Sequence, residues 1–213
     1  AQYSKLFYNK HTMAMRTTPH LILIPGLGDR KWLYRLVCPF WRARGFCPHV
    51  FAFGWEDTAN DYHKKQNRLH DYIRNLEGDV YLIGASAGGV AVLNALAMDS
   101  SDRIKAVATI ATPYVYRQRL KNETLARAID ELSNNLPAMQ AKLVRVTSFY
   151  GMRDQVVPLI DSQPNDSELA DVNCRQLPTF GHGLTIAAGL TMFGGRITRS
   201  WGNETPKKDT FLS

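Results

Sequence analysis

The sequence is poor in the features that staple, anchor or metallate a chain. It has 3 cysteines, Cys38, Cys47 and Cys174, in 213 residues. The count is odd and no Cys-x-x-Cys occurs, which argues against a disulfide framework and against a zinc site. No His-Glu-x-x-His occurs, and paired carboxylates or histidine clusters at ligand spacing are missing, so no metal or organic cofactor is expected. No apolar run approaches the roughly 20 residues that span a bilayer. No signal-type apolar region starts the chain. A reducing, cytoplasmic location is the expectation, with the proviso that a leader removed before Ala1 leaves the same sequence. Low-complexity stretches, repeats and linkers are also lacking, so one domain is expected.

What is present is a core. Hydrophobic residues make up 45% of the chain, enough for a domain of this size to hold without staples. Net charge is +7 and the pI is near 9.4. The basic residues are scattered, with no run longer than two, and no basic-aromatic interleaving of the nucleic-acid kind occurs. Nucleic acid is therefore not an expected partner. The charge suits a basic surface, with peripheral contact to an anionic membrane as the stronger version. Three Asn-x-Ser/Thr triplets begin at Asn122, Asn165 and Asn203, and such triplets arise readily by chance.

Short apolar runs alternate with helical patterns along the chain. Strands are expected at Leu21–Ile24, His49–Phe53, Val80–Ile83, Ile104–Ile110, Leu143–Tyr150 and Val172–Leu177. Helices are expected at Lys31–Arg44, Asp57–Glu77, Val90–Met98, Glu123–Leu132 and Leu184–Phe193. That alternation predicts an α/β fold, a mostly parallel sheet with helices on both faces. Residues 1–19 read as an N-terminal arm in which Leu6, Phe7 and Tyr8 pack on the body, residues 20–201 as the domain, and residues 202–213 as a polar C-terminal tail. In such sheets ligands sit beyond the carboxyl ends of the strands, so chemistry should follow strands.

One stretch stands out. The run Val80–Ile83 passes into Gly84-Ala85-Ser86-Ala87-Gly88 and at once into an Ala/Leu/Val-rich helix. A serine on so sharp a strand-to-helix turn needs tiny neighbours two places to each side, and it is presented at a helix N-terminus. The plain alternative is a glycine-rich connection. A phosphate loop fits less well, because Ser86 stands where a second glycine belongs and no Gly-Lys-Ser/Thr follows.

A serine nucleophile needs a base, and the base needs an orienting acid. Of six histidines, His11 lies in the arm, His63 and His70 on the polar helix, and His20 and His49 at strand starts. Only His182 follows a strand and precedes a helix, in Phe180-Gly181-His182-Gly183. Asp154 follows a strand in the same way, in Gly151-Met152-Arg153-Asp154-Gln155-Val156-Val157-Pro158. Asp161, Asp166 and Asp171 fall in a polar stretch and are expected to be solvated. A capping or surface role is the alternative for His182, and a turn role for Asp154.

The order Ser86, Asp154, His182 is similar to that of the α/β-hydrolases. The chain resembles that superfamily from Leu21 to Phe193, and its small lipases and serine esterases in particular. Gly84–Gly89 resembles the nucleophile elbow, Gly151–Pro158 the acid turn and Phe180–Gly183 the histidine loop. The resemblance implies an α/β-hydrolase core with a minimal or absent cap domain. It implies a serine hydrolase that cleaves carboxylic esters, lipid-like or small, through an acyl-enzyme. An oxyanion is held by backbone N–H groups. One should be that of Ala87, and the resemblance assigns the other to Leu27, in Pro25-Gly26-Leu27-Gly28. Leu27, Trp55, Tyr114 and Tyr116 fall just after strand ends and are candidates for the pocket wall; covering the sheet edge is the alternative. Thioesters and amides suit the same machinery, and a non-catalytic binding protein on this fold is the reading from another class.

Overall fold

The computed structural model describes residues 17–58, 61–115, 122–162 and 171–201. The expected arm at residues 1–16, Tyr116, Asp166 and the tail at 202–213 lie outside the described residues. Six strands form one sheet: β1 His20–Ile24, β2 Cys47–Val50, β3 Val80–Ala85, β4 Ile104–Ile110, β5 Val146–Arg153 and β6 Asn173–Phe180. Their order is β2-β1-β3-β4-β5-β6, and every neighbouring pair is parallel. The helices are α1 Lys31–Arg42, α2 Tyr62–Arg74, α3 Ala87–Met98, α4 Glu123–Leu143, α5 Leu159–Ser162, α6 His182–Leu190 and α7 Gly194–Ser200.

Side chains alternate across a strand, and β1 shows both destinations. Ile22 and Ile24 pack under α2, α3 and α4, with Leu69, Ile73, Val90, Leu93, Leu125 and Leu132. Leu21 and Leu23 pack on the other face with Tyr34, Cys38 and Trp41 of α1, Leu190 of α6 and Ile197 of α7. Both faces of the central strands are covered, so β1, β3 and β4 are apolar nearly throughout, whereas the edge strands β2 and β6 are not. α3 is the innermost helix, with Ala87 through Leu96 all buried. An apolar surface on every side is what such a position demands.

The element boundaries differ from expectation where one local signal masked another. The helix expected from Asp57 starts at Tyr62, because the Asp61 carboxylate caps it by accepting from the Lys64 amide at 2.8 Å. The helix expected to end at Leu132 runs on to Leu143. Leu125, Ile129, Leu132, Leu136, Met139 and Leu143 keep one buried stripe through Pro137, whose presence suggests a break. β5 consequently begins at Val146 and extends to Arg153, β6 extends to Phe180, and α7 was not expected. β2 begins at Cys47 and stops at Val50, with one further bond to β1, from the Phe51 amide to the Leu23 carbonyl. The N-cap of α4 is Asn122, whose Oδ1 accepts from the Leu125 amide and whose Nδ2 donates to the Trp55 carbonyl. Asp161, expected to be solvated, is buried on α5, and its carbonyl accepts from the Tyr114 amide.

Close backbone approach at the head of α3 fixes the fold's tightest joint. A Cβ on Gly88 would lie 2.1 Å from the carbonyl oxygen of Ile24, the last residue of β1. No side-chain rotation relieves a clash with backbone. Gly88→Ala is therefore expected to cost about 3 kcal/mol or more and to lower Tm by at least about 6 °C. Thermal denaturation checks this, and a loss under about 2 °C counts against so tight a joint.

Candidate active site

The site is assembled at the carboxyl ends of the strands. Ser86 joins β3 to α3 with no intervening loop. Its φ is 52° and its ψ is −126°, a conformation that L-residues adopt only under constraint. The constraint is visible: the Ser86 amide donates to the Ile110 carbonyl at 2.8 Å, and its carbonyl accepts from the Gly89 amide at 2.9 Å. The strained turn presents the hydroxyl at the amino end of α3, where the helix dipole favours negative charge.

Asp154 and His182 are brought together by register. Arg153 pairs with Phe180 across β5 and β6, so the residues just past each strand meet. The Gly181 amide donates to the Arg153 carbonyl at 2.6 Å and closes the joint. His182 is the first residue of α6, and its Nδ1 lies 2.7 Å from Asp154 Oδ2. The other carboxylate oxygen accepts from the amides of Val156 and Val157 at 2.8 and 2.9 Å. The Asp154 side chain is 3% exposed and that of His182 is 15% exposed. Burial pushes the Asp154 carboxyl up, but hydrogen bonds from His182 and from the Val157 and Val156 amides outweigh it. The carboxyl is held below the ordinary carboxylate range and stays ionised.

The turn after β1 passes directly over the serine. A Cβ on Gly26 would lie 2.8 Å from Ser86 Cβ and 3.3 Å from its hydroxyl oxygen, so only glycine fits. The Asp29 amide donates to the Gly26 carbonyl at 3.2 Å, closing a turn with Leu27 and Gly28 at its centre. Leu27 is half exposed at this turn. Ala87 is the first residue of α3, so its N–H has no acceptor within the helix.

Two residues that the sequence reading did not single out for this purpose hold the turn in place. Asp29 accepts from the amides of Phe53, Gly54 and Trp55 at 2.9, 2.7 and 2.9 Å. The Trp55 indole N–H donates to the Pro25 carbonyl at 3.1 Å. A carboxylate four residues beyond Pro25 in a glycine turn was the available signal, but its partners lie over twenty residues away. Asp29→Ala strands three amides and is expected to cost about 2 kcal/mol, and Asp29→Asn less, because one oxygen remains. Urea denaturation of both variants checks the ranking; equal stability of Asp29→Ala and the parent counts against the clamp.

A cleft of about 530 Å³ opens beside Ser86 and His182. Leu27, Leu33, Leu36, Val37, Ile186 and Leu190 supply its apolar wall, and Arg30 and Thr191 its polar rim. Of the residues expected from sequence to line a pocket, Leu27 does line this cleft, Tyr116 lies outside the described residues, and Tyr114 and Trp55 lie elsewhere. Tyr114 is 1% exposed and donates or accepts at Thr109 Oγ1 over 2.7 Å within the core. Trp55 is equally buried, stacks on Phe53 and braces Pro25. Both cover the sheet edge. The rest of the wall comes from α1 and α6, whose apolar residues face a site made by distant strands.

Comparison with known proteins finds likeness in structure alone. No family model and no curated protein sequence matches the chain. The esterase domain of a Rhodothermus marinus protein matches with a TM-score of 0.60 at 17% identity, covering 89% of this chain and 88% of its own. A Paleococcus ferrophilus monoacylglycerol lipase matches with a TM-score of 0.56 at 15% identity, covering 76% and 85%. The thioesterase domain from the curacin biosynthetic pathway matches with a TM-score of 0.62 at 15% identity, covering 84% and 91%. At these identities the likeness speaks for architecture. No described helix is long and apolar enough to cross a membrane. With its six parallel strands, covered faces, and Ser86 turn between β3 and α3, the chain has the α/β-hydrolase fold.

Proposed function

We propose that the chain is a serine hydrolase that cleaves carboxylic esters carrying an apolar acyl group. One observation carries the reading: a strained Ser86 at a helix N-terminus shares a cleft with His182, whose far nitrogen is held by the ionised Asp154. In this reading Asp154 accepts the Nδ1 proton of His182 and leaves Nε2 free as base. His182 takes the hydroxyl proton as Ser86 Oγ attacks the acyl carbon. The oxyanion that forms is held by the N–H groups of Ala87 and Leu27, and by the amino end of α3. His182 then protonates the leaving alcohol. Water, activated by the same imidazole, releases the acid and restores Ser86.

The substrate class follows from the wall. Leucines, a valine and an isoleucine beside the serine favour a hydrocarbon chain, and the volume suits one of modest length. Only residues 111–122 separate β4 from α4, too few for a cap domain in that connection. A thioester reaches the same kind of tetrahedral intermediate, and one of the similar structures is a thioesterase domain. A panel of p-nitrophenyl esters of increasing chain length tests the reading. The expected result is a rise in kcat/KM with acyl length until the cleft is filled. Turnover that ignores chain length contradicts the assignment of this wall.

A further inference from the structure

At the opposite end of the sheet, the sequence carries a second group of reactive side chains that the reaction leaves unused. β1 and β2 pair in parallel, with His20 opposite Cys47 and Ile22 opposite His49. Residues two apart on a strand share a face, so His20, Cys47 and His49 project on one side together. One nitrogen of each histidine and the Cys47 sulfur all lie within 4.8 Å of one another. Linear spacing hides this group, because His20 is far from the Cys47-Pro48-His49 pair.

The hydrogen bonds around the two imidazoles are those of a ligand set. His20 Nε2 lies 3.0 Å from the Glu77 carbonyl oxygen, which can only accept. The Nε2 proton is therefore fixed, and His20 Nδ1 carries a lone pair. That lone pair faces His49 Nε2 at 2.9 Å. The outer nitrogen of His49 lies 3.0 Å from the Tyr72 hydroxyl of α2. Each imidazole is thus oriented through its outer nitrogen, while the inner nitrogens converge. Outer-nitrogen partners of this kind orient histidines that bind metal.

We propose that His20 Nδ1, His49 Nε2 and Cys47 Sγ bind a zinc ion, with solvent in the fourth position. Two nitrogens and a thiolate suit a borderline-soft divalent cation and exclude Mg²⁺ and Ca²⁺. Tetrahedral zinc holds two imidazole nitrogens about 3.3 Å apart, so the pair opens by only a few tenths of an ångström. The ion replaces the proton shared between the rings. His49 keeps one proton, now on Nδ1 and donated to Tyr72 Oη. Cys47 loses its thiol proton, so one proton leaves per zinc bound. The ion ties the edge strand β2 to β1, remote from Ser86, and its role is to stabilise the edge.

Titration of the reduced 213-residue chain with Co²⁺ and Zn²⁺ tests this. One equivalent of Co²⁺ is expected to give tetrahedral d–d bands and a thiolate-to-cobalt charge-transfer band. Zn²⁺ at a hundredfold excess over its Kd is expected to raise Tm by about 5–10 °C, and Mg²⁺ to leave it unchanged. Cys47→Ser abolishes the charge-transfer band, whereas Cys174→Ser, which alters an exposed free thiol, retains it. His49→Gln weakens binding at least tenfold. Tyr72→Phe keeps all three ligands and weakens binding about tenfold, which covers the case in which His49→Gln does not fold. A missing charge-transfer band, a band that survives Cys47→Ser, or a Tm indifferent to Zn²⁺ overturns the proposal and leaves a hydrogen-bonded His–His–Tyr cluster.

Discussion

Replacing Ser86 by alanine is expected to lower kcat by about a millionfold while the protein stays folded. The hydroxyl is the only group lost, and it makes none of the backbone hydrogen bonds that pin the turn. Alanine tolerates φ = 52° no better than serine, so the strain remains and Tm is expected to stay within about 2 °C of the parent. Ser86→Gly separates the two effects. Glycine adopts a positive φ without cost, and the relief exceeds its extra unfolded-state entropy by about 1 kcal/mol. Its Tm is expected to rise by about 2–4 °C as activity disappears. A Ser86→Gly variant that is both active and unchanged in stability contradicts the nucleophile assignment and the strain argument together.

Asp154→Asn is expected to reduce kcat about 10⁴-fold, and the hydrogen bonds around it say why. Asp154 Oδ1 accepts from two amides, of Val156 and Val157. In the variant, the Asn carbonyl must keep that position, because an NH₂ group there would face two donors. Its NH₂ then points at His182 Nδ1, which becomes an acceptor. Neutral His182 is forced to carry its proton on Nε2 and cannot take one from Ser86. Stability responds with a definite sign. The Asp154 carboxyl titrates below its ordinary range in the folded chain. Its contribution is therefore full above the unfolded value, near pH 4, and is lost as pH falls through the lower folded value. The stability gap between parent and variant is expected to be open at pH 7 and to narrow as the pH falls below about 4. A gap that widens on acidification reverses the sign and contradicts the hydrogen bonding.

Legibility in the sequence followed how local the cause was. Ser86 was readable because its strand, its turn and its helix are contiguous, and the turn's sterics require small residues on both sides. Asp154 and His182 were readable as residues after strands, although strand register, invisible in one dimension, is what makes them meet. The wall of the cleft was only partly legible for a related reason. An aromatic residue after a strand can cover the sheet or face the cleft, and Tyr114 and Trp55 both took the first course. Leu33 and Leu36, which do line the cleft, sit on α1, where they look like part of an ordinary amphipathic stripe. Leu36 is 69% exposed, so that stripe is wider than the sheet can cover. The extension of α4 was hidden by Pro137, which outweighed a periodic pattern that continues to Leu143. His20, Cys47 and His49 escaped notice because only the pairing of β1 with β2 brings them together.

The central claim is that Ser86 is an activated nucleophile, and covalent capture reads it directly. The 213-residue chain is treated with a fluorophosphonate and its intact mass measured, followed by mapping of the modified peptide. The expected result is one adduct per chain, on Ser86, absent from Ser86→Ala and formed far more slowly by His182→Ala. A folded parent protein that takes up no adduct, or one whose labelling survives Ser86→Ala unchanged, contradicts it.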